Sequence, residues 1–300
     1  MTQQRRKFMV TGGAGFIGSH IVDLLIEQGH EVIILDDLSS GREQNIHPQA
    51  VFQKIDIRIF DEVYTHMTGV SGVFHCAAIV SVQFSLEHPE ETRDINVQGT
   101  YNILRAAAKQ GVKRVVFSSS SAVYGESVGA LNEEAPLRPQ SPYGIQKLIS
   151  EYDTRALVMS SKLEAVILRY FNVYGPRQRG DSPYAGVIAR FLETASKDQS
   201  LTIFGDGSQT RDFIHVKDVA RANLIAMEAK VISGEIFNIG SGISTSVKQI
   251  AEQISTKVEH VAPRIEPKHS LAEISKARSV LKWSPEILLK EGIHSMYYEK

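Results

Sequence analysis

The chain has 300 residues, enough for one large domain or two coupled ones around a sizeable hydrophobic core. Its 33 Lys and Arg against 34 Asp and Glu leave a net charge of −1, which offers no field to hold a nucleic-acid backbone or an anionic membrane surface. One cysteine, Cys76, excludes an internal disulfide, and without CxxC or HExxH spacing no zinc site is expected. With no apolar stretch of signal-peptide type before Thr11 and no apolar run of membrane-spanning length, a cytoplasmic, metal-free protein is expected.

Short apolar, β-rich runs predict strands at residues 8–11, 31–35, 51–55, 72–75, 114–118 and 165–169. Helical patterns predict helices at 17–28, 58–67, 90–110 and 143–160. Strands that alternate with helices make βαβ units, so the expectation is an α/β fold with a doubly wound parallel sheet covered on both faces. The runs VVFSS and AVILRY suit strands buried on both faces. After Asn172 turn clusters such as Gly205-Asp206-Gly207-Ser208 separate shorter elements, with helices predicted at 184–196, 217–227, 246–257, 271–281 and 286–298. The natural division is a first domain over 1–171 and a smaller α/β domain over 172–300, with segments passing back between them.

Thr11-Gly12-Gly13-Ala14-Gly15-Phe16-Ile17-Gly18 joins the first strand to the first helix. Gly13, Gly15 and Gly18 fit GxGxxG, and Gly12, Gly15 and Gly18 fit GxxGxxG. Glycines there let the backbone approach a pyrophosphate, which the free N–H groups of the helix N-terminus attract. No Lys follows as in a nucleotide-triphosphatase loop. Asp36, eighteen residues after Gly18, ends the second strand, where a carboxylate accepts hydrogen bonds from ribose hydroxyls and repels a 2′-phosphate. NAD is therefore the expected cofactor; Asp37 reads as an ordinary loop residue.

Tyr143 and Lys147 lie four apart, on one face of a helix. A tyrosine with a free pKa of about 10 becomes a base near neutrality only beside positive charge, which Lys147 and an oxidised nicotinamide would supply. The run from Ser118 to Ser121 ends a buried strand at the edge where doubly wound sheets bind ligands.

These segments, with SSSSAVYG, SPYGIQK, RYFNVYGPR and GDGSQTRDFIHVKDVA, resemble the extended short-chain dehydrogenase/reductase family, in its nucleotide-sugar epimerase and dehydratase branch, from residue 8 to residue 298. The resemblance implies a Rossmann NAD-binding domain, a C-terminal nucleotide-sugar domain, and Ser120, Tyr143 and Lys147 as the catalytic set. It places Gly12, Gly15, Phe16, Ile17, Gly18, Asp36, Asp56, Ile57, Cys76, Ala77, Ala78, Asn96 and Phe171 beside the cofactor. Asn172, Arg211 and Ser270 fall toward the nucleotide sugar, and a homodimer through the helices after Asn96 and Tyr143 is implied.

Related 4,6-dehydratases carry Asp-Glu after the catalytic Ser, and the decarboxylases of UDP-glucuronate carry Glu at the second position. This chain has Ser121 and Ala122, neither of which replaces a carboxylate. The remaining set suffices for 4-epimerisation of a UDP-hexose: Tyr143 deprotonates the 4-hydroxyl, NAD+ takes the hydride, and both return to the opposite face of a 4-keto sugar. Where 4-epimerases place a bulky Tyr, Ser270 leaves room for an N-acetyl group; Ser270 also reads as a helix N-cap. UDP-glucuronate 4-epimerisation, a dehydratase or decarboxylase activity, and a non-catalytic NAD-binding regulator are the other readings. The family's Arg-x-Gly-Asp is absent, and Arg264 is the candidate for its diphosphate-binding Arg. His215, Trp283, Tyr297 and Tyr298 read as packing residues.

Overall fold

The computed structural model describes residues 5–126, 129–182, 185–230, 232–263 and 268–298. Strands and helices alternate through β1 (Lys7–Thr11), α1 (Phe16–Glu27), β2 (Glu31–Asp36), β3 (Val51–Lys54), α2 (Phe60–His66), β4 (Gly72–His75), α3 (Val82–Glu87), α4 (Pro89–Arg93), α5 (Thr100–Gln110), β5 (Arg114–Ser120), α6 (Pro142–Ser160) and β6 (Glu164–Tyr170). There follow β7 (Asn172–Tyr174), α7 (Val187–Ser196), β8 (Leu201–Phe204), β9 (Thr210–His215), α8 (Val216–Glu228), β10 (Ile236–Ile239), β11 (Ser244–Ser246), α9 (Val247–Ile254), β12 (Val258–Val261) and α10 (Leu289–Tyr298). Among the described residues, no helix is long and apolar enough to cross a membrane.

The chain divides into two compact units. One comprises Met1–Val123, Pro139–Arg169 and Ala220–Phe237, the other Tyr124–Arg138, Tyr170–Val219 and Asn238–Lys300. Seven strands form a sheet in the order β10-β6-β5-β4-β1-β2-β3. The pairs from β3 to β5 run parallel, and their register places Leu35, Thr11, His75 and Phe117 on one rung at the C-terminal edge. One rung earlier Ile34, Val10, Phe74 and Val116 are all fully buried. This is why these strands read as unbroken apolar runs: each covers a helical layer on both sides. Met9, Ile33, Leu35, Val73 and Val115 pack with Val63 and Met67 of the α2 region and with Ile103, Leu104 and Ala107 of α5. In the second unit β11-β9-β7 and β12-β8 form small sheets, and Tyr174, Ile188, Phe191, Ile203, Phe213 and Ile250 share a core.

Ends are set by local chemistry. Ser141 caps α6 by accepting from the Gly144 N–H, with Pro142 in the first turn, and Ser246 and Gln249 form a reciprocal capping box on α9. The helix predicted over 90–110 is present but widens to a π-turn over Asp94–Gly99, around Asn96. α3 and the strands β7 to β12 are not among the elements predicted from sequence: α3 is too short to establish a period, and the strands are short and set among turn clusters. The helix predicted over 271–281 is a correction: Ala272 bridges Leu131 as extended chain, and helical backbone starts at Ser275 before the π-turn Ala277–Leu281. The start of the helix predicted from Tyr184 lies outside the described residues, as does Arg264.

His215 and Trp283 are buried, His215 edge-on to Tyr174 at 5.3 Å and Trp283 donating from Nε1 to the Asp218 carbonyl at 3.1 Å. Tyr297 is half exposed rather than a core residue, its hydroxyl bonded to the Ile254 carbonyl at 3.2 Å.

Behind the C-terminal end of β5, the fully buried Arg169 and Glu151 form an ion pair, with Nη2–Oε2 at 2.7 Å and Nε–Oε1 at 2.9 Å. Ser119 Oγ donates to the same carboxylate at 2.5 Å. Removing one partner strands a buried charge, whereas removing both removes the desolvation cost as well. Glu151→Ala should lower unfolding stability in urea by about 3–5 kcal/mol, and Glu151→Leu with Arg169→Met should recover most of that loss. Equal losses in the two variants would contradict it.

Candidate active site

The Gly12, Gly15, Gly18 spacing is the one that the backbone uses. Gly12 sits at φ +68°, and a Cβ there would lie 2.8 Å from the Ala77 nitrogen. A Cβ on Gly18 would lie 2.2 Å from the Gly12 carbonyl oxygen, which also accepts from Gly15 N–H at 3.0 Å. The turn and α1 are thus in backbone contact. α1 opens at Gly15 with no side-chain cap and no acidic residue in its first turn, so the N–H groups of Phe16, Ile17 and Gly18 stand at an uncapped positive helix end.

Asp36, 6% exposed, closes β2 and accepts from Ala14 N–H at 3.0 Å and Leu38 N–H at 2.9 Å. Burial pushes its carboxyl above the usual range, partly offset by those two bonds. Unused lone pairs on both oxygens leave room for hydroxyl donors. An uncapped helix end for an anion, glycines where a Cβ would fill the approach, and a carboxylate one strand over form a donor and acceptor set that fits a dinucleotide. Asp56 is gripped by Arg58 through bonds of 2.8 and 2.6 Å, which hold its carboxyl low, while the Ile57 side chain is core, packed under Gly99.

Beyond the last sheet rung, β5 and α6 bring together the three residues of the predicted catalytic set. The Ser120 side chain stands close enough to the Tyr143 phenol to favour its ionised form, and Ser120 Oγ accepts from Ala122 N–H at 3.2 Å. Lys147 Nζ donates to the Ser118 carbonyl at 2.8 Å and lies 6.0 Å from the Tyr143 ring centre and 5.0 Å from that of Phe117. A Cβ on Gly144 would lie 2.6 Å from the Ala122 carbonyl, so α6 packs closely on the turn after β5.

Burial dominates the titration of this cluster. Tyr143 is pushed up to about 12 by desolvation, against the lowering effect of the Ser120 side chain. Lys147 is pushed down to about 8 by desolvation, which the Glu151 carboxylate partly offsets. Cys76 is held up at about 11 by burial, its sulfur accepting from Ser118 Oγ at 3.3 Å. The chain's own groups therefore favour Tyr143 as a phenol and Cys76 as an un-ionised thiol at neutral pH. Lys147 alone does not bring Tyr143 toward neutrality; the expectation joins the positive nicotinamide to it.

Cys76, Ala77 and Ala78 follow β4 as predicted, and Asn96 grips their turn through Ile79, with Oδ1 accepting from N–H at 2.8 Å and Nδ2 donating to O at 3.0 Å. In the second unit Phe171 is buried 6.4 Å from the Tyr124 ring. Asn172, Arg211 and Ser270 gather around β9: Asn172 Nδ2 donates to the Asp212 carbonyl at 3.2 Å, Arg211 Nη1 to the Thr210 carbonyl at 2.9 Å, and Ser270 N–H to that same carbonyl at 3.2 Å. Helical backbone starts only at Ser275, so Ser270 is no helix cap.

Sequence reading missed His75, Thr100, Gln146 and Glu151. Glu151 had a usable signal, one helical turn after Lys147; the other three become neighbours only through tertiary contacts.

A profile of the NAD-dependent epimerase/dehydratase family matches residues 8–240. A Methanocaldococcus jannaschii protein provisionally named a UDP-glucose 4-epimerase is 46% identical over 297 residues, covering 95% of each chain. The UDP-N-acetyl-alpha-D-glucosaminuronate decarboxylase of Bacillus cytotoxicus is 39% identical over 258 residues, 83% of this chain and 79% of that protein. The crystal structure of UDP-glucose 4-epimerase from Thermotoga maritima with UDP-glucose superposes with a TM-score of 0.94 at 37% identity, covering 98% and 99% of the two chains.

The buried ammonium makes a signed prediction. Between the folded value of about 8 and the unfolded value near 10.5, the unfolded chain binds a proton that the folded chain does not. Stability of the natural protein relative to Lys147→Met should therefore rise as pH climbs from about 8 toward about 10.5 and be flat below 7. Thermal unfolding of both proteins across that range checks it; a difference independent of pH contradicts it.

Proposed function

Because the chain belongs to the NAD-dependent epimerase/dehydratase family, we propose that it interconverts UDP-hexoses at C4. The carrying observation is the cluster of Ser120, Tyr143 and Lys147 at the sheet edge, followed by Ser121 and Ala122 where elimination or decarboxylation chemistry wants a carboxylate. That feature separates the reading from the decarboxylase activity of the Bacillus cytotoxicus relative.

The first unit binds the dinucleotide along the cradle of Gly12, Gly15, Gly18 and the N–H groups of Phe16 and Ile17, with Asp36 toward the adenosine ribose. Asp56, Cys76, Ala77 and Ala78 would complete the dinucleotide site, Ile57 and Asn96 would support its wall from the buried side, and Phe171 would serve the nicotinamide end. Asn172, Arg211 and Ser270 hold the UDP-sugar. Bound NAD+ supplies reversible hydride acceptance at C4 together with a positive charge. Ser120 Oγ hydrogen-bonds the C4 oxygen, and Tyr143 Oη removes its proton. Lys147 Nζ keeps a cation beneath the phenol, favouring the phenolate once desolvation is offset. Tyr143 returns the proton after the 4-keto sugar has presented its other face, so no net oxidation occurs.

Ser270, a small residue, favours acceptance of N-acetylhexosamines beside plain hexoses. Exposed apolar side chains on α5 and α6, Tyr101, Ile145, Tyr152 and Met159, support pairing of two copies, and a lone thiol at Cys76 suits the cytoplasm.

Incubation with UDP-glucose and UDP-N-acetylglucosamine should yield the 4-epimers on chromatography. Tyr143→Phe should lower turnover by about a hundredfold or more while NAD stays bound. Ser270→Tyr should reduce N-acetyl turnover selectively. Release of carbon dioxide from a UDP-uronate without epimerisation of any UDP-hexose would refute the proposal.

A further inference from the structure

We propose that His75, as the neutral imidazole protonated on Nε2, is a positioning residue that holds the turn over residues 76–79 against the glycine cradle; the role rests on the cofactor reading above. His75 ends β4, is 1% exposed, and lies on the last rung between Thr11 and Phe117. Its Nδ1 is 2.7 Å from Thr11 Oγ1 and its Nε2 is 2.9 Å from Thr100 Oγ1.

The neighbours fix the tautomer. Thr100 donates its one hydroxyl proton to the Asn96 carbonyl at 2.6 Å, so toward His75 it only accepts, and Nε2 carries the hydrogen. Burial, and then the charge of Lys147, push the imidazole down to about 3, leaving Nδ1 bare to accept from Thr11. Thr11 Oγ1 in turn accepts from Ala77 N–H at 3.3 Å. Every donor and acceptor points one way, from the Ala77 amide through Thr11, His75 and Thr100 to the Asn96 carbonyl.

Asn96 completes the circuit. Its side chain holds Ile79 at both N–H and carbonyl, and its amide donates to Gln146 Oε1 at 2.8 Å. One relay therefore fastens the turn at Ala77 and at Ile79. That turn is the surface against which Gly12 packs, with no room even for a methyl group. The groups facing the imidazole are the Thr11 hydroxyl from β1, the Thr100 hydroxyl from α5, the Phe117 ring from β5, stacked at 5.8 Å, and the Lys147 ammonium from α6; the neighbouring Cys76 thiol is held neutral by burial. None of these favours an imidazolium.

Nitrogen-15 NMR of the full-length chain labelled at histidine, with His75→Asn to assign the resonance, should show protonated Nε2 and bare Nδ1, unchanged between pH 8 and about 5. Titration calorimetry with NAD+ should show affinity roughly tenfold or more weaker in Thr100→Val and restored in Thr100→Ser. A proton on Nδ1, or titration within that pH range, overturns the relay. Wild-type affinity in Thr100→Val overturns the positioning role. Failure of the natural protein to bind NAD+ overturns the cofactor reading itself, and this role with it.

Discussion

A single buried ammonium organises the edge of the large sheet. Lys147 is 3% exposed and has one hydrogen bond to a carbonyl, from Ser118, so its charge is expensive and acts at full strength on everything near it. It helps keep His75 neutral, and with it the relay through Thr11 and Thr100. It opposes, without overcoming, the burial of the Cys76 thiol. Glu151, one helical turn away and itself tied to Arg169 and Ser119, offsets part of its desolvation. The ion pair is therefore more than a packing feature: it anchors α6 to β6, Ser119 ties the same carboxylate to β5, and that carboxylate favours the cationic form of Lys147.

The same economy explains how a chain with a net charge near zero suits anionic ligands. The positive potential is local, in the uncapped start of α1 and in Lys147, and is built largely from backbone N–H groups that the charge sum does not count. Low dielectric multiplies each such group. A protein that acts on a dinucleotide and a nucleotide sugar has no need of a basic surface.

Much of this was legible in the sequence because its physics is local. Buried parallel strands run apolar, so the strands β1 to β6 declare themselves. The glycines at 12, 15 and 18 precede a helix, and the four-residue spacing of Tyr143 and Lys147 puts both on one face. What escaped depends on distant partners. His75 looks like a strand residue until Thr11 and Thr100, 64 and 25 residues away, close around it. The 271–274 segment looks helical by composition, yet Leu131 and β9 claim it as extended chain, which also removes the N-cap reading of Ser270. The depth of burial of Tyr143 escaped for a related reason: spacing reveals the neighbouring charge but not the desolvation around the phenol.

The central claim is that Ser120, Tyr143 and Lys147 support reversible oxidation at C4 of a UDP-hexose and nothing more. UDP-glucose carrying deuterium at C4, incubated with the protein in ordinary water until the epimers equilibrate, tests it most directly. The account predicts that the label is retained at C4 in both epimers, because the hydrogen leaves and returns without meeting solvent. Loss of the deuterium to water during epimerisation would contradict it.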